Sequence, residues 1–409
     1  MRVTFLTVGE YPTAGGLHAS QVLPFAIYLQ GRGVRVNWVA YVPLEMRLRD
    51  LMVNGGALLS DMKKLVGQHG IDFTIKLFPI TVTRAYSYMF RNRLVRLAGI
   101  NFSGLLRKYA TEGDLHIIQC RSYFATAVAL EAKKSDKNIR VSFDMRSLLP
   151  PELPLMFPLV GNFFYGGLKR WEAFLLKESD CSFLPSQRGI RRLELEGGEH
   201  LPTYVPIAGL VDSPASENHD DIFQKPVICY VGGIGPWHSI KVLELVFEEL
   251  AKSIPGCAFE VLTSNAISLK SPVKVHSLPN HKIHEALKSM LAVVVPGPAD
   301  CDNYFMRNVS TYLFSTKATE ALSLGIPLIV NENNLELVEY VTSRQCGLVF
   351  SIKASNLIFE GVSDEQLAGM EFWANLRMAA RQCASEFCRE SVFGKYLKVW
   401  SEYDLVRTH

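Results

Sequence analysis

The chain has 409 residues, of which 48% are hydrophobic, and this suits two or three globular domains with large cores. Lys and Arg number 43 against 40 Asp and Glu, which gives a formal net charge of +3. This balance excludes a nucleic-acid-binding protein recognised by bulk charge, so we expect no nucleic-acid partner.

Targeting and redox signals point to a cytoplasmic protein. The sequence opens with MRVTFLTVGE, which enters a strand pattern directly instead of following the order of a signal peptide. No uninterrupted apolar run reaches about 18 residues. The eight cysteines are scattered without a CxxC spacing, which indicates reduced thiols and neither a disulfide framework nor a metal site.

Strand-like and helix-like segments alternate through the first half of the chain. Strands are predicted at 3–8, 34–40, 115–120 and 139–145, with helices between them, one of them from about His18 to Gln30. Such alternation predicts a parallel sheet with helices on both faces. Ligands then bind beyond the carboxyl ends of the strands.

A polar segment at 209–225 indicates a linker, after which the same alternation starts again with VICYVG at 227–232. The pattern therefore predicts an N-terminal domain over 1–208 and a second α/β domain over 226–385. The rest of the chain is helical.

The loop GEYPTAGGLHAS joins the first strand to the first helix and carries Gly15 and Gly16 just before the helix. Glycines at this place let backbone N–H groups approach a phosphate closely, although such a pair is also common in simple turns. The loop does not match G-x-G-x-x-G, and the second strand ends without an acidic residue. A dinucleotide site is therefore disfavoured.

The second domain has a stronger anion-site pattern. Gly232 and Gly233 end its first strand, and FSTKATEALSLGIP later supplies a polar turn and a helix start at Ser315 and Thr316. Lys317 lies at the positive end of the helix dipole, where acidic residues are usual.

One reading of this helix start is an ordinary ion pair of Lys317 with Glu320 at i,i+3. The other is an anion outside the helix, bound by Lys317 and backbone amides, with Glu320 accepting sugar hydroxyls one turn deeper. The second reading predicts a nucleotide-diphosphate site.

Together YVGGIG and STKATEALSLGIPLIVNENNLELVEYV resemble the retaining nucleotide-sugar glycosyltransferases of family 4, which have the glycosyltransferase-B fold. SFDMRSLLPPE, with LKRWEAFLLKESDCSFLPS, resembles a subgroup that acts in bacterial envelope polysaccharide synthesis. The resemblance implies two Rossmann-like domains facing each other across a cleft, with the donor on the second and the acceptor on the first. It also implies a final helix, within 386–409, that packs back on the N-terminal domain.

Residue roles carry over from the family with some departures. Glu320 matches the second glutamate of a Glu-x7-Glu pattern and implies a ribose contact, whereas the first glutamate falls on Tyr312. The family's arginine and lysine fall near Gly233 and His238. The resemblance therefore implies that Lys317, His238 and backbone amides stabilise the leaving diphosphate without a metal or other cofactor.

Two further places carry candidate residues. Asp144 and Arg146 end the strand VSFDM, and Arg121 follows HIIQC, where first-domain residues of this fold face the cleft. We predict Asp144, with Lys317 and Glu320, as catalytic, and Arg121 and Arg146 as acceptor-binding. The alternative for these first-domain residues is a structural ion pair.

Membrane contact is predicted at two segments. Residues 89–110 form a basic amphipathic pattern that suits an anionic lipid surface, although an ordinary solvated helix has the same pattern. Residues 153–167 are apolar and interrupted by Pro and Gly, which indicates a loop that touches a lipid-linked acceptor or else core.

The predicted function is transfer of a sugar from a nucleotide-diphosphate sugar to a glycan or lipid-linked glycan, in the cytoplasm or at the inner face of the membrane. Two alternatives stay open. One is a glycosyltransferase-like scaffold or partner without catalysis, and the other is a different nucleotide-sugar enzyme such as an epimerase.

Overall fold

The structure is a computed structural model. It describes residues 1–78, 91–109, 115–213, 221–235, 237–269, 272–278, 280–299, 301–353 and 356–405. The chain divides into two compact units. The first unit comprises Met1–Val205 and Lys395–His409, and the second comprises Pro206–Gly394.

The first unit contains a seven-stranded sheet in the order β3-β2-β1-β4-β5-β6-β7. All its strand pairs are parallel. The strands are β1 (Arg2–Val8), β2 (Arg35–Pro43), β3 (Asp72–Phe78), β4 (His116–Arg121), β5 (Ile139–Asp144), β6 (Cys181–Leu184) and β7 (Thr203–Tyr204). The order reverses between β1 and β4, as in doubly wound sheets, in which helices cover both faces.

The helices of the first unit connect these strands. They are Leu23–Gln30, Leu44–Asn54, Ala57–Gln68, Arg91–Tyr109, Ser122–Lys133, Leu149–Met156, Pro158–Glu178 and Gln187–Leu195. Every residue of β1 is buried, as expected for a parallel strand that is covered on both faces.

The last helix, Arg389–Leu405, begins in the second unit and ends in the first. Its Tyr396 ring lies 4.4 Å from the ring of Phe183 and 4.9 Å from that of Phe25, measured between centroids. The indole N–H of Trp400 donates to Ser142 Oγ at 3.2 Å. This end of the chain is therefore part of the core of the first unit.

The second unit repeats the topology with the order β10-β9-β8-β11-β12-β13-β14. Its strands are β8 (Val227–Val231), β9 (Ala258–Leu262), β10 (Lys274–His276), β11 (Ala292–Val295), β12 (Leu328–Asn331), β13 (Gly347–Lys353) and β14 (Asn356–Phe359). The pairs are parallel except for the antiparallel edge pair β13–β14. The predicted fold class of two Rossmann-like α/β domains is confirmed.

The helices of the second unit cover both faces of its sheet. They are Asp221–Gln224, Ile240–Ser253, Asn280–Lys288, Tyr304–Tyr312, Thr316–Ser323, Leu335–Arg344, Asp364–Ala368 and Met370–Phe387. Polar caps fix several of their starts. For example, Ser239 Oγ accepts from the Val242 N–H, and Asn334 Oδ1 accepts from the Leu337 N–H.

Two predicted segments differ from the structure. The stretch 153–167 is helical, because it lies in Leu149–Met156 and Pro158–Glu178, so the prediction of a loop there is wrong. Pro158 takes the first position of its helix, where a missing N–H costs nothing. The predicted helix from His18 begins as a π-helical turn, His18–Val22, and becomes α-helical at Leu23.

Candidate active site

The carboxyl-end edge of the second sheet has a tight backbone at its topological switch point, between β8 and β11. Gly232 follows β8 with φ +110°, and Gly297 follows β11 with φ +67°. A Cβ at Gly232 would lie 2.8 Å from Lys317 Cε. A Cβ there would displace the end of the lysine side chain, and the positive φ favours glycine. A ligand crevice is expected at this point of such a sheet.

Lys317 lies over the first strand of this sheet. Its Nζ is 5.4 Å from the centroid of the Tyr230 ring, and the Tyr230 hydroxyl donates to the Gly233 carbonyl at 2.6 Å. The structure therefore brings Gly232, Gly233 and Lys317 together, although they are far apart in sequence.

Lys317 and Glu320 do not form the ion pair that was the simpler reading of this helix. Within the described parts of the chain, neither side chain has a hydrogen bond or an ion pair within 4.0 Å. Burial lowers the pKa of Lys317 to about 8, although the negative charge of Glu320 opposes the shift. Burial raises the pKa of Glu320 to about 7, opposed by Lys317 and Arg389.

His238 is buried beside this lysine. Its ring is 6.0 Å from that of Tyr230, and its Nδ1 has no hydrogen-bond partner among the described residues. Burial and the positive charge of Lys317 lower the pKa of His238 to about 3. The imidazole is therefore neutral near pH 7, so a contact of His238 with a diphosphate would be a hydrogen bond and not an ion pair.

Ser315 is the N-cap of the helix Thr316–Ser323. Its Oγ accepts from the Ala318 N–H at 3.3 Å, and its carbonyl accepts from the Ala318 and Thr319 N–H groups. Ser315 thus serves the helix itself, and the half-buried Thr316 is the first helical residue. The amides of Ala318 and Thr319 already have acceptors inside the helix.

The sequence pattern did not identify the residues after β11 and at the end of β12 that also form this edge. Asn331, at the end of β12, donates from Nδ2 to the Pro296 carbonyl at 2.8 Å. The Ser239 N–H donates to the Gly297 carbonyl at 2.8 Å. The first bond joins the ends of β12 and β11, and the second holds the segment around His238 to the residues after β11. The signal that could have found them is PGP directly after the buried strand AVVV.

The carboxyl-end edge of the first sheet holds a network of charged side chains. Arg121 Nε lies 3.0 Å from Glu10 Oε2, and Arg121 Nη1 donates to Gln21 Oε1 at 3.2 Å. Arg146 also donates to Gln21 Oε1, and its Nη1 lies 3.4 Å from Asp144 Oδ2. The structure therefore brings the three predicted residues Arg121, Asp144 and Arg146 to one place, as members of ion pairs.

The backbone is unusual at one residue of this network, Arg146, and at Ser122, the neighbour of Arg121. Ser122 and Arg146 have φ of 72° and 62°, in the left-handed region, just after β4 and β5. Such a conformation costs of order 1–3 kcal/mol for a residue other than glycine. Burial raises the pKa of Asp144, although Arg146 and Arg121 oppose the shift.

Sequence reasoning missed the partners of these residues. Glu10 also lies 3.0 Å from His18 Nε2, and Tyr396 of the last helix bonds to Arg146. Tyr396 could not be found from the pattern, because it is 250 residues further along the chain than Arg146. Glu10 could have been found as the acidic residue directly after β1.

The glycine pair of the first loop forms a turn. The Gly16 N–H donates to the Thr13 carbonyl at 3.1 Å, and a Cβ at Gly16 would lie 2.6 Å from Thr13 Oγ1. Gly15 is exposed, with open space around its Cα. The Gly16 amide is therefore already bonded within the loop.

The helix Arg91–Tyr109 covers most of the predicted membrane segment 89–110, of which 89, 90 and 110 lie outside the described residues. Its apolar side chains Val95, Ala98, Phe102, Leu105 and Leu106 are buried in the first unit. Leu97 and Ile100 are exposed. The apolar stripe of this helix is thus mainly part of the core. In the described part of the chain, no helix is both long enough and apolar enough to cross a bilayer.

A cavity of about 540 Å³ lies elsewhere in the first unit, between helices on one face of the sheet. It is lined by apolar side chains such as Trp171 and Phe174 and by basic ones such as Lys133 and Arg140. Lys133 and Arg140 are held by Asp180, at 2.5 and 3.7 Å. None of the predicted site residues lines it.

Solved structures similar to the chain share the glycosyltransferase-B fold. Sucrose-phosphate synthase of Thermosynechococcus elongatus has a TM-score of 0.63 and 14% identity over 99% of both chains. A glycosyltransferase of Rickettsia africae has a TM-score of 0.60 and 14% identity over 98% of both chains. A protein described as a UDP-N-acetylglucosamine 2-epimerase of Listeria monocytogenes has a TM-score of 0.51 and 11% identity, covering 97% of this chain and 95% of its own.

No family model matches the sequence, and no curated protein matches it as a relative. At identities of 11% to 14% the likeness shows the fold alone. The chemistry has to be argued from the residues of the two carboxyl-end edges.

Proposed function

We propose that the protein is a glycosyltransferase that moves a sugar from a nucleotide-diphosphate sugar to a hydroxyl of a glycan or lipid-linked glycan. This proposal rests on Lys317, which is half-buried against Gly232 at the switch point of the second sheet and has no ion-pair partner within 4.0 Å among the described residues. A charge in that position needs an anion as its partner. The glycine leaves the backbone open for its approach.

The chemistry follows from what each group of the second edge offers. Lys317 supplies the positive charge that balances the departing diphosphate, which is the group on which negative charge grows during transfer. His238 is neutral, and its Nδ1, which has no hydrogen-bond partner in the described part of the chain, offers a hydrogen bond to the same ligand. Glu320 accepts from the ribose hydroxyls. Since Lys317 supplies the charge, we propose transfer without a metal or other cofactor.

The first edge is proposed to hold the acceptor. Asp144, Arg121 and Arg146 lie together there and carry polar atoms on strand ends, the place where sheets of this kind bind ligands. We propose that Asp144 acts on the acceptor hydroxyl and that the two arginines orient the glycan. Membership of family 4, retention at the anomeric carbon and a place in envelope polysaccharide synthesis rest on the sequence resemblance.

Two alternatives have their own observations. An epimerase acting on a nucleotide sugar is favoured by the likeness to the Listeria protein, whose described substrate has the same diphosphate. A scaffold without catalysis is favoured by Tyr312, which stands where the family has its first glutamate.

A panel of nucleotide sugars separates these functions. Each is added to the full chain, and thermal stabilisation, free sugar and isomerised sugar nucleotide are measured. Stabilisation with slow release of free sugar supports the transferase, while isomerised sugar nucleotide supports the epimerase. If no nucleotide or nucleotide sugar stabilises the protein, the donor site does not exist and only the scaffold remains.

A further inference from the structure

The loop that follows β8, residues 232–235, is held by bonds from two neighbouring segments, and we call it the glycine loop. Its first amide continues the sheet, because the Gly232 N–H donates to the Leu262 carbonyl of β9 at 2.8 Å. The peptide group between Gly233 and Ile234 lies beyond the strand and is held by side chains instead.

Both polar atoms of this peptide group have a partner. The Tyr230 hydroxyl donates to the Gly233 carbonyl at 2.6 Å, and the Ile234 N–H donates to Asn265 Oδ1 at 2.9 Å. Because a peptide group is planar, bonds to its carbonyl and to its N–H together fix its rotation. Tyr230 and Asn265 therefore set the orientation of the backbone at Gly233.

The Asn265 side chain is itself oriented by Thr263, the residue directly after β9. Thr263 Oγ1 donates to Asn265 Oδ1 at 3.2 Å and accepts from the Asn265 N–H at 3.2 Å. Thr263 is buried, and its own N–H donates to the His276 carbonyl at the end of β10 at 2.9 Å. Asn265 Oδ1 thus accepts two hydrogen bonds from groups that are anchored in the sheet.

One donor of the glycine loop has no partner in the part of the chain that the structure describes. This donor is the N–H of Gly233, which is an exposed residue. The residue before it, Gly232, lies against Lys317, because a Cβ there would be 2.8 Å from Lys317 Cε. An exposed backbone donor next to a half-buried lysine offers the hydrogen bond and the charge that a phosphate group takes.

The bond from Ile234 to Asn265 argues for a role at this loop and not only in the turn after β9. The bonds between Asn265 and Thr263 are local, whereas the Ile234 N–H is 31 residues away in sequence. Asn265 also lies close to the neighbouring glycine, since a Cβ at Gly233 would be 3.6 Å from Asn265 Oδ1. Closing the turn after β9 would require neither contact.

We infer that Asn265 is a positioning residue of the donor site, which fixes the glycine loop so that the Gly233 N–H stays available to a diphosphate beside Lys317. The inference rests on the proposed function. It adds a residue after β9, a segment to which the sequence pattern assigned no role in the site.

Calorimetric titration of the full chain tests this inference with the nucleoside diphosphates of the four common ribonucleosides. Asn265→Ala removes the acceptor of the Ile234 N–H. We expect its affinity for the diphosphate that binds tightest to fall about fivefold, the factor that corresponds to one neutral hydrogen bond. Its affinity for the nucleoside of the same base should not change, because that ligand has no phosphate. A purely structural role would weaken both ligands alike.

Asn265→Asp separates the orientation of the loop from the closeness of the ligand. The carboxylate keeps an acceptor for the Ile234 N–H but adds a negative charge. This variant should unfold in urea like the wild type, whereas its affinity for the diphosphate should fall about tenfold through repulsion between like charges. The matched control is Ser264→Ala, at the exposed neighbouring position, which should change neither affinity.

The outcomes distinguish this inference from the proposed function. A wild type that binds none of the four diphosphates would overturn both. If the wild type binds one, the inference alone is overturned by an Asn265→Ala protein that is folded by circular dichroism and binds the diphosphate unchanged. Equal losses for the diphosphate and the nucleoside, or an unchanged diphosphate affinity in Asn265→Asp, would also overturn it.

Discussion

The two carboxyl-end edges have the same topology but treat their charges in opposite ways. In the first unit, Arg121 lies against Glu10 and Arg146 against Asp144, so each buried charge has a partner. In the second unit, Lys317 and Glu320 have no such partner within 4.0 Å among the described residues. Buried groups of this kind are costly unless something compensates them, and perturbed groups of this kind cluster at functional sites.

Two domains of the same topology can therefore differ in whether the charged side chains at their carboxyl-end edges are paired. The first edge is complete without a ligand, because its arginines and carboxylates satisfy one another. At the second edge, Lys317 has no ion-pair partner within 4.0 Å and His238 Nδ1 has no hydrogen-bond partner among the described residues, and we propose that a bound anion supplies both. We therefore expect mutations at the first edge to lower the free energy of unfolding in addition to any effect on the acceptor. Mutations at the second edge should change ligand affinity with little loss of stability.

Arg121→Ala should give the largest effect on stability. It leaves the Glu10 carboxylate without its arginine and removes a donor to Gln21. Breaking a buried pair costs 3–5 kcal/mol, and because the pair is not completely buried we expect a loss of about 3 kcal/mol in the free energy of unfolding. Urea titration measures it. Lys134→Ala, which removes a surface ion pair with Glu131, is the control and should cost at most about 0.5 kcal/mol.

Lys317→Ala should weaken ligand binding without lowering the free energy of unfolding. We expect the affinity for the tightest nucleotide sugar to fall about thirtyfold, since a hydrogen bond to a charged group contributes about 2 kcal/mol. The free energy of unfolding should stay the same or rise, because a partly desolvated charge is removed. Calorimetric titration and urea titration measure the two quantities. Lys241→Ala, on an exposed position of the same unit, should change neither.

An unchanged affinity in Lys317→Ala would remove the contrast between the two edges. So would a loss of stability as large as that of Arg121→Ala. In either case Lys317 would be a structural residue, and the diphosphate would have to bind elsewhere.

Gly232→Ala should weaken binding less than Lys317→Ala does. The added Cβ displaces the Lys317 side chain, whose Cε would lie 2.8 Å away, and a φ of +110° strains any residue other than glycine. We expect about a tenfold loss of affinity and about 1–2 kcal/mol of destabilisation. Gly235→Ala is the control, because its Cβ would meet nothing within 4 Å and its φ is ordinary. If Gly232→Ala and Gly235→Ala have the same affinity and the same stability, Lys317 does not lie close to Gly232.

Local sequence pattern accounts for much of the fold and for the centre of the second edge. Long apolar runs such as β11 and β12 are typical of parallel strands. Lys317, a basic residue at the end of a helix where acidic residues are usual, indicated an unusual helix start. The helices Leu44–Asn54 and Ala57–Gln68 were not predicted. The first has no inward apolar stripe, because Asp50 takes the inward position. The second buries Leu59, Met62 and Val66 along one face, so its spacing could have indicated a helix.

The sequence also could not predict which charged side chains form ion pairs with each other. The sequence allowed ion pairs for Asp144 with Arg146 and for Lys317 with Glu320, and the structure has the first but not the second. Spacing along a helix or strand limits which side chains can meet. Whether they do meet depends on distant residues, such as Gln21 for Arg146 and Gly232 for Lys317.

The affinity of the second edge should also depend on pH. With its pKa at about 8, Lys317 is about one tenth charged at pH 9, so the affinity for a nucleotide sugar should be about tenfold lower there than below pH 8. Glu320, with its pKa at about 7, loses its negative charge below that pH and accepts ribose hydroxyls less well. Affinity should therefore be highest between about pH 7 and 8.

Stability of the free protein should change in the reverse sense over the same range. The folded pKa of Lys317 lies below its ordinary 10.5, so the unfolded chain binds more protons and stability rises between about pH 8 and 10.5. The folded pKa of Glu320 lies above its ordinary 4.5, so its contribution is lost as the pH rises from about 4.5 to 7. Together these two groups stabilise the free protein least where it binds best. Affinity and urea unfolding are measured against pH for the wild type and for Lys317→Ala. The change at alkaline pH that comes from the lysine should be missing from both profiles of the variant. If affinity and stability of the variant still change at alkaline pH as in the wild type, another group titrates there and Lys317 is not the cation facing the diphosphate.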